Sequence, residues 1–184
     1  MDLHVASACE IAAEIRARRL SAAEAVDACL ARIERVQPWL RAVVLLDAEG
    51  ARRDAVRADA EAARGTFRGP LHGVPVTIKD SFDTAGLVST WGTPGRAAHV
   101  PGADATAVAR LRAAGAIVLG KSNTPELTYG FEARNPLHPR TSNPWDPERT
   151  SGGSSGGAAA LVAAGGAALE IGSDTGGSIR LPAH

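Results

Sequence analysis

The sequence predicts an α/β fold, a sandwich of helices and a sheet that contains parallel strand pairs. Three observations carry this expectation. The first 65 residues read as helices, short wholly apolar runs further on read as buried strands, and those runs alternate with helical stretches.

Ser7-Ala-Cys-Glu10 has the form of a capping box, with Ile11 and Ile15 four residues apart behind it. Ser21-Ala-Ala-Glu24 is a second box. It opens a stretch in which Val26, Leu30 and Ile33 share a face, and Pro38 is expected to end it. Residues 51–63 are rich in Ala, Arg, Asp and Glu. Their apolar face is thin, so they predict a solvated surface helix closed by Gly65. Val74-Pro-Val-Thr-Ile78 reads as a buried strand with its proline near the start, ending at Lys79-Asp80. A region rich in Gly, Pro and Thr covers Gly86 to Gly102. Asp104 is expected to cap an Ala-rich helix that stops at Gly115, and Ala116-Ile-Val-Leu119 to form a second buried strand. Residues 120–150 are mostly loop, with proline at 125, 136, 139, 144 and 147. Ser151–Gly157 is almost wholly Gly and Ser, Ala158–Ala164 reads as helix, and Leu169–Gly172 as strand. One domain over 1–184 is expected, with a helical region at 1–65 and a core segment at 66–184.

Composition excludes several classes of function. The formal net charge is zero, so no basic field draws nucleic acid and no acidic tail is present. Apolar runs break within about ten residues, far short of the roughly 20 that span a bilayer. The N-terminus lacks a basic-then-apolar leader pattern, with Asp2, Glu10 and Glu14 punctuating it, so a soluble cytoplasmic chain is expected. Cys9 and Cys29 read as half-buried small hydrophobes in a reducing compartment rather than as a disulfide. Of the 20 basic residues, all but Lys79 and Lys121 are Arg. Arg does not deprotonate at usable pH, whereas a buried Lys does. Each lysine is therefore a candidate for chemistry or tight packing that Arg would not serve.

Three motifs compete. Gly115-Ala-Ile-Val-Leu-Gly120-Lys121-Ser122 matches a phosphate loop formally, but a helix precedes it, its interior is a hydrophobic strand, and Pro125 disfavours a helix after the lysine. Lys121 reads instead as a strand-end residue bonding nearby carbonyls. Gly152-Gly-Ser154-Ser-Gly156 matches a nucleophile elbow, but the Pro-rich segment before it is no central strand and the only later histidine is His184. The other histidines lack partners at ligand spacing, so His-based catalysis and a metal site are both poor readings. The third reading joins Lys79 to both Gly-Ser segments. A flexible linker would not lead straight into an Ala-rich helix and a strand, nor be followed by a second Gly-Gly-Ser flanked by Asp174 and Arg180.

These segments are where a resemblance becomes specific. Thr150-Ser-Gly-Gly-Ser-Ser-Gly-Gly157, continuing to Gly172-Ser-Asp-Thr-Gly-Gly-Ser-Ile-Arg180, resembles the signature of the amidase signature family. Gly73-Val-Pro-Val76, Lys79-Asp80 and Gly120-Lys-Ser-Asn123 match that family's upstream segments in order. The likeness runs to Pro182, with Ser151 standing where many members have proline. It implies an α/β/α sandwich around a mixed sheet, incomplete in 184 residues because members are longer. It implies Ser178 as acyl-accepting nucleophile, Ser154, preceded by a cis peptide bond, as relay, and Lys79 as base. The amides of Thr175, Gly176, Gly177 and Ser178 would form the oxyanion hole, Ser155 would support the relay, and Thr128 would line the acyl side of the pocket. Asp174 and Arg180 are expected to brace the loop or to form an ordinary ion pair.

The chemistry suits those roles. A serine hydroxyl needs a base before it attacks, and burial at a strand end favours a neutral Lys. A hydroxyl relays because it both donates and accepts. The activity the resemblance implies is hydrolysis of a small-molecule carboxamide through an acyl-enzyme, with no cofactor or metal. The alternatives are an inactive fragment or binding subunit that needs a complementing chain or forms a homodimer, and the amidase subunit of a tRNA-dependent amidotransferase.

Overall fold

A computed structural model describes residues 1–184. Both capping boxes form. Ser7 and Glu10 exchange their bonds at the start of α1 (Ala8–Arg16), and Ser21 and Glu24 do so at α2 (Ala22–Leu40). Pro38 does not end α2, which runs two residues further. Proline in the last turn removes one N–H, and the reversal is made by Gln37. Its side chain accepts from the amides of Ala42 and Val43 and donates to the Val43 carbonyl, while Arg41 takes a left-handed conformation at φ 55°.

That reversal feeds β1 (Val43–Leu46), a strand that lies inside the stretch expected to be helical. Four residues are too few to show a period. β1 is followed by α3 (Ala48–Ala63), which does more than face solvent. Ala51, Ala55, Ala58 and Ala62 are buried as a stripe, and small side chains let α3 lie close along α2. The two remaining strands of the centre are β2 (Pro75–Lys79) and β3 (Ile117–Ser122), wholly buried. Between them lies α4 (Thr106–Ala113). Asp104 does not cap it: its carboxylate accepts from the Ala85 amide and pairs with Arg112, while the N-cap residue is Ala105 with no side-chain bond. After β3 come α5 (Gly156–Ala163), β4 (Glu170–Ile171) and α6 (Arg180–Ala183).

The sheet is mixed, in the order β1-β3-β2-β4. β1 runs antiparallel to β3, and β2 runs parallel to both β3 and β4. The parallel register sets Lys79 against Ser122 and Thr77 against Glu170. The carboxyl ends of β2, β3 and β4 therefore open on the same side, where open α/β sheets place their ligands. α2, α3 and α5 pack on this sheet around one apolar core that includes Ile11, Ile33, Val76, Ile78, Leu119 and Leu161. Of the two cysteines, Cys29 lies in that core with its thiol pushed up to about 11 by burial, whereas Cys9 is exposed rather than half-buried.

Candidate active site

Lys79 is the last residue of β2 and is completely buried. Its Nζ meets three hydroxyls: Ser154 Oγ at 2.7 Å, Ser173 Oγ at 2.9 Å and Ser155 Oγ at 3.0 Å. Ser155 directly precedes α5, so the ammonium also faces the positive end of that helix. Desolvation by burial, opposed by the more distant charges of Asp174 and Glu170, brings Lys79 down to about 8.

The hydroxyls are not equivalent. Ser155 Oγ donates to the Ser173 carbonyl at 3.2 Å and accepts from the Ser173 amide at 3.3 Å. Its proton is committed, so it only accepts from Lys79. Ser154 Oγ has no such acceptor, and its proton is free to pass toward Nζ when the amine is neutral. The Ser155 amide donates to the Ser178 carbonyl at 3.0 Å, which ties the backbone of Ser178 to the same corner.

Ser154 and Ser178 line one cleft of about 630 Å³ together with Thr128, Ser173, Thr175 and Gly176. The two hydroxyls are not hydrogen-bonded to each other. The peptide bond between Gly153 and Ser154 is cis. Gly153 has no room for a side chain, since a Cβ there would come within 2.5 Å of the Phe131–Glu132 backbone. This close approach seats the 124–140 loop beside Ser154. Thr124 Oγ1 adds a bond to the Ser154 carbonyl at 3.0 Å, and Asn123 holds the loop through the carbonyls of Ala133 and Pro139. On the loop, Leu127 and Thr128 both have left-handed φ, 51° and 61°.

Asp174 organises the second Gly-Ser segment. Its carboxylate accepts from the amides of Gly177 (2.7 Å), Ile179 (2.9 Å) and Arg180 (3.1 Å) and from the Arg180 guanidinium (2.8 Å). The Arg180 bonds, followed by those amides, hold its carboxyl far below the usual carboxylate range. The Gly177 N–H is therefore taken by Asp174, while those of Thr175, Gly176 and Ser178 donate to no group in the chain. Gly177 sits at φ +116°, open only to glycine; at Gly176 a Cβ would meet nothing within 4 Å.

Lys121 is also fully buried, but its setting differs. It pairs with Asp80 at 3.1 Å and donates to the Phe82 carbonyl and Ser89 Oγ, both at 2.8 Å. Only one of its three partners is a carbonyl, and nothing in the local sequence marks the carboxylate as a partner. Ser173, Thr124 and Asn123 are site residues that the sequence does not single out. Ser173 carries a usable signal: it follows a strand parallel to β2, at the end level with Lys79.

The Amidase family model matches residues 24–184. The chain is 46% identical over 183 residues to a glutamyl-tRNA(Gln) amidotransferase subunit of Carboxydothermus hydrogenoformans, covering 100% of this chain and 38% of that one. It is 47% identical over 178 residues to an indoleacetamide hydrolase of Bradyrhizobium diazoefficiens, covering 97% and 34%. Among solved structures, a peptide amidase from Stenotrophomonas maltophilia superposes with a TM-score of 0.91 at 36% identity, over 96% of this chain and 38% of that one. The chain thus spans little more than a third of the length of these relatives. A family match over most of the sequence, with neighbours at this similarity, places the chain in the Amidase (amidase signature) family.

Proposed function

We propose that this chain carries the acyl-transfer centre of an amide hydrolase, with Ser178 as nucleophile, Ser154 as relay and Lys79 as base. The observation that carries the reading is the buried Lys79 amine, 2.7 Å from Ser154 Oγ at the floor of the cleft that Ser178 lines. Neutral Lys79 takes the Ser154 proton while Ser154 takes that of Ser178. The Ser178 oxygen then adds to a carboxamide carbonyl. The developing oxyanion is received by the free amides of Thr175, Gly176 and Ser178, each such donor being worth roughly 2.7–4 kcal/mol of barrier in acyl-transfer sites. The Gly177 amide, held by Asp174, shapes the turn rather than facing the oxyanion. As the C–N bond breaks, the proton returns through Ser154 to the departing nitrogen. Water then adds to the acyl carbon and releases the carboxylate.

The test is labelling by a fluorophosphonate followed by mass mapping. Modification of Ser178 that vanishes in Lys79→Ala supports the assignment; modification of Ser154 instead, or of neither serine, overturns it.

A second reading makes the chain one part of an assembly that completes the pocket. It is favoured by the exposure of Leu127, Tyr129 and Phe131 on the cleft wall, and by the relative that belongs to an amidotransferase. Under that reading the isolated chain labels slowly and a complementing chain accelerates it.

A further inference from the structure

A carboxyl group lies beside the triad with no counter-ion. Glu170 opens β4, directly across from Thr77, and the alternation of β2 puts Thr77 on the same face as Lys79. Its two oxygens are divided between hydroxyls: Thr77 Oγ1 bonds Oε2 and Ser122 Oγ bonds Oε1. Ser122 is in turn the register partner of Lys79. The carboxyl thus bridges β4 to both central strands one step below the base. It makes no ion pair, in contrast to Asp80, which pairs with Lys121.

We propose that Glu170 is a positioning residue whose protonation is coupled to that of Lys79, so that its ionisation state sets the pH at which the base becomes competent. The inference rests on Lys79 acting as the base of the reading above. Half-buried between two neutral hydroxyls with no cation in bonding distance, the carboxyl is drawn toward its acid form. Burial, opposed by the Ser122 and Thr77 bonds and then by the charges of Lys121 and Lys79, pushes it up to about 7. Below that pH the acid donates through one oxygen, and the facing hydroxyl accepts. Above it the carboxylate attracts the proton on Lys79 and delays its release. The charged groups that face Glu170 are Lys79 from β2 and Lys121 from β3. Asp174, beyond the end of β4, bears on Lys79 itself and is occupied by Arg180; α5 brings no charge to this face.

The experiment compares wild type with Glu170→Gln, which keeps shape and loses charge. Fluorophosphonate labelling of Ser178 is followed against pH, and the carboxylic acid C=O stretch against pH by infrared difference spectroscopy. The expected result is a rising labelling limb that moves to lower pH in E170Q, making it about twofold or more faster than wild type below the midpoint. The infrared band should titrate near neutral pH in wild type and be absent in E170Q. Thr77→Val, which strips one hydroxyl from the carboxylate, should shift the band to higher pH and the limb to lower pH, and serves if E170Q does not fold. A limb at the same pH in the variants while Ser178 labels normally overturns the coupling alone, as does the lack of any titrating acid band. Absence of Ser178 labelling in wild type overturns the triad reading and the coupling with it.

Discussion

Lys79 and Lys121 share complete burial and differ in company. Burial lowers both amines, but at Lys121 it is opposed by a carboxylate at 3.1 Å, whereas Lys79 has only hydroxyls within bonding distance. An amine with no counter-ion in a desolvated site is the one that gives up its proton near neutrality. Under the proposed mechanism the working form is the neutral amine, so labelling of Ser178 should rise with pH and reach half its maximum near pH 8, the level burial sets for Lys79. Lys79→Ala should slow labelling about 10²–10⁴-fold, and Lys79→Arg should not restore it, since guanidinium keeps its proton. Gly177→Ala places a Cβ at φ +116°, at a cost of about 1–3 kcal/mol. Labelling should fall about tenfold, and the melting temperature should drop by about 2–4 °C for each kcal/mol of that strain. Much of this scale was legible in the sequence. In a chain that otherwise uses Arg throughout, the two lysines marked the two positions where an amine is buried. The bonds that Ser173 makes to Lys79 and the Gly177 amide to Asp174 were not legible, because they depend on which way a turn rotates about Asp174, and residue type does not encode that.

At the scale of elements, the strand ends are held by the Lys121–Asp80 pair. Asp80 follows Lys79 directly, its amide bonds the Ser122 carbonyl, and its second oxygen takes the Thr90 amide and hydroxyl. Trp91, next along, accepts from the Leu127 amide at 2.8 Å, so the pair reaches the cleft wall through two loops. Removing one partner of a buried pair strands the other. Lys121→Met should therefore lower stability by about 3–5 kcal/mol in urea denaturation, and Asp80→Asn/Lys121→Met should cost less than the two single changes summed. The formal phosphate-loop match at Gly115–Ser122 dissolves at this level, since its lysine is pleated into β3 and faces Asp80. Helices with capping boxes and strands with continuous apolar runs were readable because each carries its signal within a few neighbours. β1 was not, because four residues between two helices are specified by pairing with β3, some 75 positions away, and not by their own pattern.

For the whole molecule, the sheet ends at β1 on one side and at the two-residue β4 on the other. Trp145 is 85% and Tyr129 95% exposed, and Val162, Ile179 and Leu181 are exposed nearby. Apolar surface of this kind binds partners or dyes. The chain should enhance ANS fluorescence in its folded state and associate reversibly with rising concentration in sedimentation velocity; Trp145→Ser with Leu181→Ser should weaken both. The mixed α/β architecture was readable from the alternation of elements. Which surfaces stay open was not, since it depends on what meets each face, and a pattern of apolar residues marks a face without naming its partner.

The bonds that assemble the base corner join residues 75, 76 and 94 positions apart. No local segment contains even two of its four members from different strand ends. Contacts of such separation form only after long loops have closed. Refolding from denaturant should thus show helical ellipticity returning first, with Ser178 reactivity recovering only at the rate of the final cooperative step. On the proposed mechanism a half-folded chain would then be chemically silent, and Ser178 would meet electrophiles as a reactive group only once the fold that controls it has closed.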